Sequence, residues 1–107
     1  MTIPEIEVGE LASRLEAGAV LFDVREPDEY TDAHVPGAVL VPLGTVPDEL
    51  ERFRVTGTVH VICKSGGRSA RAVELLLAQG IDAVNVTGGT TDWLDSGRAH
   101  ATGPDPA

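Results

Sequence analysis

Residues 58–79, TVHVICKSGGRSARAVELLLAQ, join a short apolar run to an amphipathic helical pattern through a glycine-containing loop. The run from Thr58 to Ile62 is rich in β-branched residues and predicts a buried strand. The stretch from Ser69 to Gln79 repeats apolar residues at helical spacing, and Gly80 supplies a stop signal. A strand, a loop and a helix in this order form the building unit of a parallel sheet covered by helices.

The same alternation extends along the chain in both directions. Further strands are predicted at residues 19–24, 38–41 and 83–86, with a short first strand near residues 4–7. Further helices are predicted at residues 8–17, 45–53 and 91–96. The predicted fold class is α/β, a three-layer sandwich with a mainly parallel sheet of about five strands flanked by helices. Sites in such sheets form at the carboxyl ends of the strands, which places the loop after Ile62 at the expected position for chemistry.

The length of 107 residues fits one domain. We assign residues 1–98 to this domain. Residues 99–107 contain the run Gly103-Pro104-Asp105-Pro106 and predict a disordered tail.

The formal net charge of −9 argues against nucleic acid as a partner and against anionic membrane surfaces. One cysteine cannot form an intramolecular disulfide or a cysteine-rich zinc site, and the three histidines lack metal-ligand spacing. We therefore expect no metal and no cofactor. An unpaired thiol is best kept in a reducing compartment, and no signal-peptide pattern is visible, so a cytoplasmic location is expected.

The loop after the central strand concentrates the residues that could perform chemistry. Cys63 stands at the strand end, where its side chain could project into a pocket mouth. Gly66 and Gly67 can adopt positive φ angles, so that successive N–H groups point inward above a helix N-terminus and form an anion cradle. Lys64 and Arg68 add two of the eight positive charges of the chain. All of these features favour the thiolate over the thiol and so predict a reactive cysteine.

A structural interpretation of each feature is also available. A lone cysteine after a Val-Ile run is usually a buried small hydrophobe, and a Gly-Gly pair before a helix is often only a tight turn. Taken singly, each feature favours that interpretation. The combination with Lys64 and Arg68 in one strand–loop–helix segment favours a catalytic Cys63.

The loop resembles the active-site segment of the rhodanese family, in which a Cys and an Arg are separated by four residues rich in Ser and Gly. Three more segments are similar to that family and occur in its order: LFDVRE with EY (residues 21–26 and 29–30), AHVPGA (residues 33–38), and GG followed by Trp93 (residues 88–89). Together the similar segments cover roughly residues 4–98. The resemblance is to a single-domain rhodanese-like sulfurtransferase.

The resemblance implies that Cys63 attacks the outer sulfur of a donor such as thiosulfate and carries it as a persulfide to a thiophilic acceptor. The acceptor would be cyanide, a thiol or a protein, and a protein donor is equally open. The substrate-binding residues would be Lys64, Ser65, Gly66, Gly67, Arg68 and Ser69. Asp23 and Arg25 could steady the loop from the neighbouring strand, although a structural ion pair at the strand end explains them as well.

Two other functions stay open on the sequence alone. Rhodanese-like folds also support phosphatase or arsenate reductase chemistry, but the related phosphatases have one more residue between Cys and Arg than the four between Cys63 and Arg68. A non-catalytic binding module is the other alternative. Such modules usually lack the cysteine or the loop glycines that are present here.

Overall fold

The protein forms one five-stranded sheet whose paired strands are all parallel, as a computed structural model of residues 2–107 describes it. The strands are β1 (Glu5–Ile6), β2 (Val20–Asp23), β3 (Val39–Leu40), β4 (Val59–Ile62) and β5 (Ala83–Val86). The helices are α1 (Val8–Glu16), α2 (Pro27–Asp32), α3 (Gly67–Ala78) and α4 (Gly89–Asp95). The strand order β1-β5-β4-β2-β3 places β4 at the centre of the sheet.

Helices cover both faces of the sheet, which gives the three layers that the sequence predicts. On one face, α3 and the segment after β3 pack around Phe22, Phe53 and Leu76. On the other face, α1, α2 and α4 pack around Leu11 and Trp93. Because β4 is covered on both faces, all four of its residues are buried. No helix formed by residues 2–107 is long and apolar enough to span a bilayer.

The prediction of an α-helix over residues 45–53 is wrong. This segment forms two short 3₁₀ helices, Leu43–Asp48 and Leu50–Phe53. Pro47 lies inside the first of them and has no N–H to donate to a preceding carbonyl, so a continuous α-helix is not available. The two 3₁₀ helices still bury Val46 and Phe53.

The short helix α2 was not among the predicted helices, and it supplies part of the site described below. Pro27 stands at its first turn, where a missing N–H costs nothing. Glu26 and Glu29 form a capping box, each side chain accepting a hydrogen bond from the other residue's backbone N–H. Six residues are too few to show a clear apolar stripe.

Residues 99–107, predicted as a disordered tail, have hydrogen-bonded positions in the structure. Ala101 and His34 exchange two backbone hydrogen bonds, of 2.8 and 2.9 Å. The backbone N–H of Gly37 donates to the carbonyl of Pro106 at 2.9 Å. The tail therefore supplies partners for the backbone of the loop between α2 and β3. The domain boundary at residue 98 stays a prediction.

Candidate active site

Cys63 lies immediately after β4, beside the N-terminus of α3. Its Sγ accepts a hydrogen bond from the backbone N–H of Gly66 at 3.1 Å and lies 3.3 Å from the Ser69 hydroxyl. The residue is only 1% exposed, so the sulfur lies under the loop and does not project into a pocket mouth as the sequence suggested. The loop closes over the sulfur because its donors point inward.

The pKa of the Cys63 thiol lies below its ordinary value. Burial is the largest single influence and acts to raise this pKa, since it disfavours the charged form. The Ser69 hydroxyl and the backbone N–H groups of Ser69, Gly66 and Ser65 act in the opposite direction and together outweigh burial. Thiolate stabilisation by inward-pointing donors is therefore present in the geometry.

The two glycines of the loop have different roles. Gly66 has a φ of 113°, in the left-handed region where a side chain would be strained, and it forms the N-cap of α3. Gly67 is the first residue of α3 and is not among the residues with positive φ, so of the two glycines that can adopt this conformation only Gly66 does. A single left-handed residue is enough to turn the chain from the strand end into the helix.

Arg68 does not contribute an uncompensated positive charge to the loop. Its guanidinium binds the Glu29 carboxylate of α2 through two hydrogen bonds, at 2.7 and 2.9 Å. The sequence placed Arg68 beside the thiol but assigned it no partner. The bidentate pair ties the start of α3 to α2 across the carboxyl end of β2. Hydrogen bonding to Arg68 lowers the pKa of Glu29 to about 2.

Replacing Glu29 with glutamine is expected to lower the free energy of unfolding by about 1 kcal/mol near neutral pH, since both side chains are partly exposed. The folded pKa is depressed from 4.5 to about 2, so this contribution is present above pH 4.5 and lost as the pH falls towards 2. Urea unfolding at several pH values should therefore show the wild type and Glu29→Gln converging in acid.

The matched control is Glu51→Gln, which removes a carboxylate that pairs with Arg54 but is 89% exposed. It should change stability little at any pH. A Glu29→Gln variant that behaves like this control would show that the Glu29–Arg68 pair does not stabilise the fold.

Asp23 and Arg25 form a buried ion pair at the carboxyl end of β2. The Arg25 guanidinium donates to Asp23 at 2.8 Å and to the backbone carbonyl of Ala33 at 2.8 Å, and it also reaches the carbonyl of Glu29 at 3.3 Å. The pair therefore holds the middle and the C-terminal end of α2 against the sheet. The structural ion pair weighed in the sequence analysis is present, and it acts on the helix that carries Glu29. A role in steadying the Cys63 loop stays a prediction.

A cavity of about 250 Å³ opens beside the loop. Its lining residues are Arg25, Glu29, Asp32, Ala33, Lys64, Thr90, Thr91 and Leu94. Arg25 is already paired, whereas Lys64 is exposed and forms no ion pair within residues 2–107. Lys64 is therefore the free positive charge at this cavity.

The start of α4 holds the backbone on which Cys63 stands. The carbonyl of Cys63 accepts hydrogen bonds from the N–H of Thr90 at 2.9 Å and from its hydroxyl at 3.0 Å. Thr91 donates to the carbonyl of Lys64 at 3.0 Å. This close approach requires Gly89, because an added Cβ would lie 2.5 Å from the Cys63 carbonyl oxygen. We call Gly89, Thr90 and Thr91 the α4 clasp.

Three contributors to the site were not predicted: Glu29, Asn85 and the α4 clasp. The Gly-Gly pair at residues 88–89 is the signal in the sequence from which a close backbone contact could have been inferred for the α4 clasp. Asn85 interrupts an otherwise apolar strand, and a polar residue inside a buried strand needs a partner. Its partners are Ser69, Gly66 and Glu5.

The arrangement can hold a thiolate or a sulfur anion at the start of a helix without a general base. Of the three described histidines, His34 hydrogen-bonds the carbonyl of Tyr30, His60 lies between Arg14 and the carbonyl of Val20, and His100 is exposed. None of them bonds to Cys63. In the described part of the chain, no group of three metal-binding side chains is positioned to hold a metal ion. The chemistry that these residues support is nucleophilic attack by sulfur.

Comparison with solved structures shows the same fold in experimentally determined proteins. A rhodanese-like domain protein from Staphylococcus aureus is 39% identical, with a TM-score of 0.80, covering 85% of this chain and 91% of that chain. A rhodanese-related protein from Thermoplasma volcanium is 28% identical, with a TM-score of 0.86, and the match covers 92% of this chain and 97% of that chain. A Rhodopseudomonas palustris protein suggested to be a tyrosine phosphatase has a TM-score of 0.85 but is 21% identical, which shows the fold alone.

Comparison with curated sequences gives the family. Bacillus subtilis YtwF, provisionally named a sulfurtransferase, is 36% identical over 95 residues, covering 87% of this chain and 92% of YtwF. YrkF of the same organism, provisionally named a sulfur carrier protein, is 37% identical over 95 residues, but the match covers only 51% of its length. The family model of the Rhodanese-like domain matches residues 7–96. With Cys63 at the start of the matched loop and the parallel sheet around it, this chain belongs to the rhodanese family of sulfurtransferase-like proteins.

Proposed function

We propose that the protein transfers sulfane sulfur through a persulfide on Cys63. The observation that carries the proposal is the sulfur atom of Cys63, held at the N-terminus of α3 by the Gly66 N–H at 3.1 Å with the Ser69 hydroxyl at 3.3 Å. A thiolate in this position attacks the outer sulfur of thiosulfate. The new bond joins the two sulfurs, and the bond to the sulfonate breaks, so that sulfite leaves with the electron pair.

In the second step an acceptor attacks the outer sulfur of the persulfide. Cyanide would leave as thiocyanate, and the electron pair of the sulfur–sulfur bond would return to Cys63 as the thiolate. The amide donors of Ser65, Gly66 and Ser69 would stabilise negative charge at the start of each step and at its end. Neither step requires a side chain to move a proton. This agrees with the finding that none of the described histidines bonds to Cys63.

The site favours a slender anionic donor. Cys63 is 1% exposed, so a narrow molecule reaches its sulfur more readily than a bulky one. Lys64 supplies the free positive charge at the adjacent cavity and would attract an anion. A protein donor or acceptor with a basic patch is compatible with the net charge of −9. An unpaired thiol whose pKa is lowered by its surroundings also suits a reducing compartment, and we propose the cytoplasm.

The experiment that tests the function is the intact mass of the protein after incubation with thiosulfate, followed by cyanide. We expect the gain of one sulfur atom on the only cysteine, and its loss together with thiocyanate production. No gain from thiosulfate or from a protein persulfide donor would contradict sulfur transfer. An arylphosphatase assay and a binding assay on the same sample would then separate the phosphatase from the binding-module alternative.

Replacing Lys64 with glutamine is expected to raise the KM for thiosulfate about tenfold at low ionic strength, because the free cation beside the cavity is removed. The difference from wild type should shrink as salt is added, since exposed charges are screened. Steady-state thiocyanate production at several salt concentrations measures both effects.

Arg71→Gln is the matched control, because Arg71 is an exposed cation on α3 that does not line the cavity. It removes the same charge and should leave the KM near that of wild type. Equal changes in the two variants would mean that net charge, and not the position of Lys64, determines donor binding.

A further inference from the structure

The Ser69 hydroxyl lies near three atoms that can accept its proton. The distances from its Oγ are 2.5 Å to Asn85 Oδ1, 3.2 Å to the carbonyl oxygen of Gly66 and 3.3 Å to Cys63 Sγ. A hydroxyl has one proton and can donate it fully to only one partner at a time. The direction of this proton therefore decides whether the Cys63 sulfur faces a donor or a lone pair.

The amide of Asn85 can be oriented from its other contacts. Its Nδ2 lies 3.1 Å from the Glu5 carboxylate and 3.2 Å from the carbonyl of Gly66. Both are acceptors with no proton to give, so the amide nitrogen must face them. This leaves Oδ1 facing Ser69 as a fixed acceptor. Asn85 is 1% exposed, so its Oδ1 depends on a protein donor.

With a neutral thiol, every group in this cluster is satisfied. Ser69 donates to Asn85, and the S–H of Cys63 can donate to the lone pair of Ser69 Oγ. When the thiol loses its proton to solvent, the sulfur becomes a charged acceptor, and Ser69 can turn towards it or stay with Asn85. If it turns, Asn85 Oδ1 loses the donor that Ser69 supplied. If it stays, it presents a lone pair to the thiolate. In both arrangements the thiolate is less stable than it would be without the Asn85 acceptor.

We propose that Asn85 is a positioning residue that competes with the Cys63 thiolate for the single proton of Ser69, and that Glu5 fixes the amide in the competing orientation. Asn85 thereby favours the neutral thiol over the thiolate. In a persulfide the inner sulfur carries no charge, so the competition ends and Ser69 can return to Asn85. This last consequence rests on the proposed function, whereas the competition itself concerns only the ionisation of Cys63.

The other charges near this end of the sheet must be held constant in a test. They are Arg68 on α3, Lys64 in the loop, the Asp23–Arg25 pair at the end of β2, and Glu5 on β1. Asn85→Leu changes none of them, because both side chains are neutral and of similar size. It removes the acceptor that faces Ser69. The carboxylate of Glu5 is exposed and can be solvated in the variant.

The test is a pH titration of the ultraviolet absorbance of the thiolate, in which Cys63 is the only thiol that titrates because the chain has no other cysteine. The single tyrosine, Tyr30, also absorbs when ionised, but burial raises its pKa, which moves its step to higher pH. We expect Asn85→Leu to move the midpoint to lower pH, with about fivefold more thiolate at a pH below the midpoint, the factor that one net hydrogen bond supplies. Ser69→Ala should move the midpoint to higher pH. In the Ser69→Ala background, Asn85→Leu should have no further effect.

An upward shift in Asn85→Leu, or the same shift with and without the Ser69 hydroxyl, would overturn the proposal. If Asn85→Leu does not fold, Glu5→Gln carries the test, because it removes the charged acceptor of the Asn85 amide and leaves only the Gly66 carbonyl to hold the competing orientation. Its midpoint should then fall further than that of Glu7→Gln, which removes the same charge two residues along the chain. Equal shifts in these two variants would again overturn the proposal. The titration needs no sulfur donor, so its failure is distinct from a failure of sulfur transfer.

Discussion

Replacing Cys63 with serine is expected to reduce sulfur transfer to less than about a thousandth of the wild-type rate, because loss of a catalytic nucleophile usually lowers the rate by at least this factor. A serine hydroxyl ionises far above neutral pH, whereas the pKa of the Cys63 thiol is lowered by its surroundings. The groups around the sulfur are the Gly66 N–H and the Ser69 hydroxyl, and neither is basic enough to deprotonate a serine hydroxyl. The variant therefore has neither a thiolate nor a base to replace it.

The fold should survive this change. Oxygen is smaller than sulfur, and Gly66 and Ser69 can hydrogen-bond to the new hydroxyl as they do to Sγ. The measurements are thiocyanate production, the intact mass after thiosulfate treatment, and urea unfolding of both proteins. We expect thiocyanate production below about a thousandth of the wild-type rate, no added sulfur in the mass, and a nearly unchanged free energy of unfolding. Sulfur transfer at the wild-type rate in Cys63→Ser would contradict the assignment of Cys63 as the sulfur carrier.

The sequence predicts the fold where the signal is local. The strands near residues 20, 59 and 83 are short β-branched runs between helical patterns. A run that is apolar on both faces can be predicted as a buried strand without knowing which strands lie beside it. The exceptions have local causes as well. Pro47 converts a predicted helix into 3₁₀ turns, and the six residues of α2 are too few to show periodicity. Side-chain capping stabilises α2, and this depends on geometry more than on hydrophobic pattern.

The site divides in the same way. Cys63, Gly66 and Ser69 lie within one continuous segment that runs from the end of β4 into the first turn of α3, so their spacing alone indicates an anion cradle. Glu29 and Asn85 are distant in sequence and reach the loop only because β2 and β5 flank β4 in the sheet. Strand order cannot be obtained from the pattern of one strand. The partner of Arg68 is missed for the same reason, since Glu29 is distant in sequence and is paired with Arg68 only in the fold.

The largest structural effect is expected at Gly89, where an added methyl group would meet backbone atoms. The Cβ of an alanine would lie 2.5 Å from the carbonyl oxygen of Cys63 and 2.6 Å from that of Lys64. Gly89 also has a φ of 57°, which strains a residue with a side chain. Strain and overpacking together should lower the free energy of unfolding by about 3–5 kcal/mol.

The clash also predicts a loss of function, because it pushes the α4 clasp away from the backbone of Cys63. The sulfur would then shift relative to the Gly66 N–H, and a displacement of this kind costs about a hundredfold in rate.

Gly97→Ala is the matched control: Gly97 has a φ of 78° at the far end of α4, but its Cβ would meet nothing within 4 Å. It should lose only about 1–2 kcal/mol and keep full activity. Urea unfolding and the rate of sulfur loading, corrected for the folded fraction, measure both effects. Equal destabilisation of the two variants would show that backbone strain alone acts at Gly89 and that the close contact with the Cys63 loop does not constrain the site.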